Sequence, residues 1–303
     1  MIDEHIKMLN DLGGFNRINV SEYGASSYTK GFTEIEQANK ILKQTIIYDK
    51  NNISAKVIYN SKNIGESMSN KEHNFGIIEY DYTPKPAYYT MKKYYENTNG
   101  AEYIGTVNLA DGIKAHVYDK DGKTKIITWV TNTNDSITIP YEGFTASDMY
   151  GNEIENADGT LTITSSPVYL DNISTKYFYE AISNTALEKY AEFEEKFNSE
   201  IEQVDGLQEQ IDKLKDYMTS IKDNTIETQE KAVEMMSEHF AIGTTILNAF
   251  SNDKLNVEYV KVSSMLDMLN DIGDSYEDLL TVSATSREAY YTATEELINK
   301  AET

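Results

Sequence analysis

Chemistry in this sequence has to come from carboxylates, because the other reactive constellations fail on residue type or spacing. There are no cysteines, so thiolate nucleophiles and thiolate metal sites are excluded. His5, His73, His116 and His239 are scattered, no His-Glu-x-x-His helix occurs, and Asp119-Lys-Asp-Gly122 lacks the remaining ligands of a calcium loop. No metal and no cofactor is therefore expected, and each histidine reads as structural or surface. Gly24-Ala-Ser26 is followed by Ser27 and Tyr28 rather than the glycine of a nucleophile elbow, and no glycine pair leads into Gly-Lys-Ser/Thr.

Among the carboxylates, Glu22 is singled out by position. It follows the strand-like run Arg17 to Ser21, in which Ile18 and Val20 alternate with polar residues, and it opens Glu-Tyr-Gly-Ala-Ser-Ser, where Gly24 permits a sharp exit. Glycoside hydrolysis is one chemistry that carboxylates carry alone. It needs two of them, one to protonate the leaving oxygen and one to attack the sugar carbon or activate water. By position Glu22 suits one of these roles, and equally a solvated loop.

The elements that must position it read as follows. Ile6, Leu9 and Leu12 give a helix over 3–12, stopped by Gly13-Gly14. After Glu22, Thr33 caps a helix whose Ile35, Ala38, Leu42, Thr45 and Ile46 share a face, with Glu34 and Glu36 in the first turn. A second strand is expected from Ala55 to Tyr59, then a pre-proline segment Tyr80 to Pro86 and a helix from Ala87 to Asn97 presenting Tyr88, Met91 and Tyr95. Strand and helix alternate, the mark of parallel α/β architecture with sites at the C-terminal ends of strands. From Gly100 the period changes to two, with turn-separated short strands that predict a β-sandwich over 100–179.

All four prolines precede residue 180, and the rest reads as helix. Phe193, Phe197, Ile201, Val204, Ile211, Leu214, Met218 and Ile221 recur at three-four spacing with a phase slip near Gly206. A second register runs through Ile226, Val233, Met236, Phe240, Leu247 and Phe250, and a third from Val262 to Leu297. With breaks at Asp223 to Thr225 and Ser251 to Asn256, this predicts two or three long helices in an antiparallel coiled coil or bundle. The fold class expected is multidomain α+β: residues 1–99, 100–179 and 180–303.

The net charge of −23 is uneven. Residues 180–303 hold 27 acidic and 10 basic side chains, against 23 and 17 before them. With no basic stripe to offset the acidity, nucleic-acid binding is excluded. The N-terminal Met-Ile-Asp-Glu-His-Ile-Lys lacks the features of a signal peptide, and no apolar stretch approaches the ~18 residues of a membrane span.

One family pattern is carried by specific residues. Asn19-Val-Ser-Glu22-Tyr-Gly-Ala-Ser26, then Ala55-Lys-Val-Ile-Tyr59-Asn, then Glu72-His-Asn-Phe-Gly76 through Pro84-Lys-Pro86-Ala-Tyr88, resembles the C-terminal end of clan A glycoside hydrolase barrels. Asp148-Met-Tyr-Gly-Asn152 and Ser166-Pro-Val-Tyr-Leu170 are similar to the small β-sandwich that follows such barrels. The resemblance covers 1–179 and implies that the strands Arg17 to Ser21 and Ala55 to Tyr59 are the last two strands of a (β/α)8 barrel. It implies that Glu22 is the nucleophile of a retaining enzyme, that Tyr23 helps position it, and that Tyr59 is an aromatic sugar platform. Asn60, Glu79 and Asp81 would line the same rim; from the residues alone, Tyr59 also suits strand-end core packing and these three an ordinary polar loop. A polysaccharide or glycoside substrate and a secreted or wall-associated bacterial protein are also implied.

The acid/base glutamate of the family follows its fourth strand and is usually preceded by asparagine. The one Asn-Glu pair here, Asn152-Glu153, falls in the sandwich. The expectation is thus a glycoside hydrolase fragment, incompetent alone. From another class comes a non-catalytic cell-surface protein that binds glycan or protein through the sandwich and self-associates through its acidic helical tail.

Overall fold

A computed structural model describes residues 18–53, 55–132, 135–221 and 226–275 together with Met8, and the side chains of all of these except 226–233. The helix expected over 3–12 lies outside the described residues, apart from Met8. So do the break at Asp223 to Thr225 and the stripe positions beyond Ser275. The chain forms two compact units: residues up to Tyr103 with Asn108–Ser174, and Ile104–Val107 with Thr175 onward.

In the first unit, β1 (Asn19–Tyr23) and β2 (Ala55–Ile58) form a two-stranded parallel sheet. They are connected through α1 (Glu34–Lys50), and α2 (Pro86–Thr98) follows β2. Among the described residues no closed barrel exists. Thr33 caps α1 in a reciprocal box, its Oγ1 accepting from the Glu36 amide and Glu36 accepting from the Thr33 amide. The buried face of α1 is Gln37, Ala38, Ile41, Leu42, Thr45, Ile46 and Tyr48. Ile35, expected on that face, is 55% exposed, because in the first turn the helix projects beyond its cover. In α2 the core residues are Ala87, Thr90, Met91 and Tyr94. Tyr95, expected inward, is exposed, and Tyr94 takes its place. Pro86 opens this helix where no amide is needed, and Asn99-Gly100, with Gly100 at φ +75°, turns the chain out of it.

One carboxylate ties these elements to the sheet that follows. Asp49, in the last turn of α1, accepts from Tyr94 of α2, from the Tyr118 hydroxyl at 3.0 Å, and from the ammonium of Lys56 on β2. The eight strands β3 (Glu102–Ala110), β4 (Ile113–Lys120), β5 (Lys123–Val130), β6 (Ile137–Pro140), β7 (Thr145–Asp148), β8 (Glu153–Ile154), β9 (Thr160–Ile163) and β10 (Val168–Asp171) make two sheets. A six-stranded sheet runs in the order β3-β4-β5-β10-β7-β8, and β6 pairs with β9. The pairings of β4 with β5, β5 with β10, β10 with β7, and β7 with β8 are antiparallel. Tyr118, Ile127, Trp129, Met149 and Tyr169 share one apolar core with Tyr23, Ile41, Leu42 and Met91, so β1, α1, α2 and the sheet are one packing unit.

The second unit packs α3 (Lys176–Ile201), α4 (Leu207–Ser220), α5 (Ile226–Ser251) and α6 (Tyr259–Asp274) together. α3 contacts α4 and α6, and α5 contacts the same two. The phase slip near Gly206 is a chain break, with Gly206 at φ +79° between α3 and α4, so the helices are shorter and more numerous than the periodicity alone implies. On α5 Met236 is buried as expected, but the rest of the buried stripe is Met235, His239, Ile242, Ile246 and Ala249, and Phe240, Leu247 and Phe250 are only half-buried. A histidine on the core stripe disguised it.

Candidate active site

β1 includes Glu22 as its next-to-last residue, where the sequence placed it just after the strand. Strict alternation from Val20 would place Glu22 on the core side, since residues two apart share a face. A β-bulge prevents this. Asn19 pairs with Ala55 and Val20 with Lys56, but Tyr23 pairs with Ile58, so β1 carries one residue more than β2 between these points. Tyr23 therefore turns inward after Val20, and Ser21 and Glu22 are both exposed.

What holds the bulge is legible in the next residues. Tyr59 donates its amide to the Tyr23 carbonyl at 2.7 Å. The Tyr59 carbonyl lies so close to Gly24 that a Cβ there would sit 2.0 Å from it. Gly24 is required by this approach. At Gly76 a Cβ would meet the Asn63 amide nitrogen at 2.0 Å, so the second glycine of the pattern closes the β2 loop in the same manner.

The loops after both strands are fastened by buried polar groups that sequence reasoning gave no role. The Gln37 side-chain amide donates to the Ala25 carbonyl at 2.8 Å and reaches the Gly76 carbonyl at 3.2 Å. Ser26 donates to the Lys71 carbonyl, and the Ser27 amide to that of Asn74. Lys85 is 1% exposed and its Nζ donates to Ser27 Oγ at 2.7 Å. Burial pushes the Lys85 ammonium down from its usual range, against the pull of Glu79 and Glu34. Burial and the neighbouring Glu79 carboxyl in turn push Glu34 up, against Lys85. The signal was present in Pro84-Lys85-Pro86, where two prolines fix the backbone on either side of the one cation.

The residues expected at the site divide. Glu22 is exposed, and no hydrogen bond or ion pair reaches it from another described residue. The Tyr23 ring is buried edge-on to Tyr48, 5.0 Å between centroids, and its hydroxyl meets Thr45 Oγ1 at 2.6 Å. That is a core position, reached from the opposite face of β1 to Glu22, which gives the ring no part in positioning the carboxylate by contact. Tyr59 is half-buried, with its ring 5.3 Å from Phe75, an aromatic neighbour the sequence did not single out. Asn60 Oδ1 accepts from the Ser61 amide, Glu79 accepts from Asn63 Nδ2 at 2.6 Å, and Asp81 accepts from the Thr83 amide. These last two carboxylates cap loops. Asn152 bonds twice to Asp148 in a turn and Glu153 lies in β8, as the turn chemistry implied. Among the described residues no group of three or more His, Asp or Glu side chains could hold a metal ion.

The mixed α/β architecture with its antiparallel sheet is similar to that of glycoside hydrolases. In particular, it is similar to a family 39 glycoside hydrolase from the gut symbiont Bacteroides cellulosilyticus WH2, at 24% identity and a TM-score of 0.45 over 52% of this chain and 34% of that one. It is also similar to the family 30 subfamily 8 xylanase Xyn30A from Clostridium acetobutylicum, at 12% identity and a TM-score of 0.37, covering 51% and 42%. SrfJ from Salmonella typhimurium matches at 14% identity and a TM-score of 0.40, covering 56% and 38%. The chain thus spans between a third and a half of the length of these relatives. No protein-family model matches the chain, and no curated protein does.

Proposed function

We propose that this chain carries the nucleophile side of a retaining glycosidase site, with Glu22 as the nucleophile. The observation that supports this is the β-bulge at Ser21-Glu22, which takes a carboxylate that alternation would bury and aims it out at the C-terminal end of a parallel strand pair. Bulges that re-aim one side chain carry a cost in ladder pairing, and a solvated loop glutamate needs none. The other side chains on that face of β1 and β2, Asn19, Ser21, Ala55 and Val57, include no carboxylate. Val57 is 58% exposed there. None of these four side chains can protonate the leaving oxygen, so in this reading the acid comes from a segment other than β1 and β2.

In the proposed step a Glu22 carboxylate oxygen bonds to the anomeric carbon as the bond from that carbon to the leaving oxygen breaks. The leaving oxygen takes the electron pair and, for an ordinary alkoxide, a proton from the acid. A dinitrophenolate leaves without protonation, so the test can bypass the acid. Incubation with a dinitrophenyl 2-deoxy-2-fluoro-β-glycoside, followed by intact-mass and peptide analysis, is expected to add one fluoroglycosyl group to the peptide containing Glu22 and none to Glu22→Gln. Labelling elsewhere, or none at all, would overturn the assignment.

A further inference from the structure

We propose that the hairpin Ile78–Pro84 with Lys62 is a carbohydrate-binding platform that stacks a neutral pyranose ring on Tyr82. This rests on the glycosidase reading for its substrate class and deepens it. The hairpin is closed by the bridges of Ile78 with Lys62 and with Pro84, by the Tyr82 amide donating to the Glu79 carbonyl, and by Asp81 capping the Thr83 amide. It is a rigid mount. At its tip Tyr82 has φ +73°, a left-handed conformation that glycine or asparagine normally fills and that strains a bulky side chain. The strain brings no burial in return, since Tyr82 is 73% exposed and Tyr80 46%. Among the described residues neither tyrosine hydroxyl has a hydrogen-bond partner.

Lys62 decides what such rings can hold. Its Nζ lies 3.6 Å from the Tyr82 ring centroid and 4.9 Å from that of Tyr80, which occupies one face of the pair with positive charge and repels a cationic ligand. The chain's net charge of −23 repels polyanions. A neutral sugar fits both constraints: its C–H face covers the free side of the Tyr82 ring, and its hydroxyls meet the phenol groups at the rim. The hairpin lies in the loops between β2 and α2.

The test is calorimetric titration of the full chain with two neutral linear probes, xylohexaose and cellohexaose, on the wild type, Tyr82→Gly and Tyr82→Asn. Glycine and asparagine both accept the backbone conformation, so the melting temperature of the Tyr82 variants should be equal to or above that of the wild type. Their affinity for the bound probe should fall about tenfold or more. Fluoroglycoside labelling of Glu22 is read separately on the wild type, so a platform without a nucleophile and a nucleophile without a platform give different results. Wild-type affinity in the Tyr82 variants, or no binding of either probe at millimolar concentration, would overturn the proposal.

Discussion

Gly24 shows how much of the candidate site hangs on one missing methyl group. A Cβ there would lie 2.0 Å from the Tyr59 carbonyl oxygen, a backbone atom that cannot swing aside. We expect Gly24→Ala to separate β1 from the β2 loop at a cost of roughly 1–3 kcal/mol, as overpacking does. Labelling of Glu22 should be lost with it; unchanged labelling and melting temperature would show the approach to be soft. His239 is a second residue whose surroundings set its behaviour. It is buried on α5 with Nδ1 3.1 Å from the Tyr190 hydroxyl, and burial pushes its pKa down to about 4. Between pH 6.5 and 4 the unfolded imidazole takes up a proton that the buried ring refuses, so the unfolded state binds more protons and stability falls as pH falls through that window. The loss is on the order of 3 kcal/mol by pH 4. Thermal unfolding across this range should become flatter in His239→Gln; an identical slope in both proteins would contradict the account.

At the scale of elements, a close approach within the second unit joins β3 and α3. Asn184 Nδ2 donates to the Thr106 carbonyl at 2.9 Å and Thr185 Oγ1 to that of Ile104 at 3.0 Å. Gly105 lies between, where a Cβ would meet Thr185 Oγ1 at 2.2 Å and the Ala181 carbonyl oxygen at 2.7 Å. The helix can lie this close only because the strand has no side chain at that point. Gly105→Val should force the two apart, break both hydrogen bonds and cost about 2–4 kcal/mol. Earlier hydrogen exchange at the Thr106 region and faster proteolysis near 174 would report it, and unaltered exchange would count against it. The α1 and α2 helices were legible for the opposite reason: a capping box at Thr33 and Glu36 and a proline at the first position of α2 are local signals that do not depend on neighbours. Ile35, Tyr95 and the α5 stripe were misread because which residue of a helix is covered depends on where the partner element ends.

For the whole molecule, the two units exchange a segment. Ile104–Val107 belongs with the helices although the rest of β3 belongs with the sheet, so no single cut separates the units cleanly. Ile104 and Val107 are buried. Residues 1–174 expressed alone should expose them, bind a hydrophobic dye and melt lower than the full chain. A monomeric fragment with unchanged melting would mean that the sheet is autonomous. The uneven charge, with most of the acidity after residue 180, sets a different expectation: adding salt should raise the stability of the helical unit by screening its own repulsion.

The sequence by itself determined the chemistry available and the order of elements. Absent cysteines, scattered histidines and a carboxylate at a strand end left Glu22 as the candidate, and the change from alternating strand and helix to period two marked where the antiparallel sheet begins. These are properties of residue type and local spacing, which a chain carries before it folds. Tertiary structure alone decided which way Glu22 faces, because a bulge is a mismatch between two strands and cannot be read from either one. It alone decided that Tyr23 belongs to the core and that the buried Lys85 ammonium is bonded to Ser27. Those outcomes depend on groups 22 to 58 residues away in the chain.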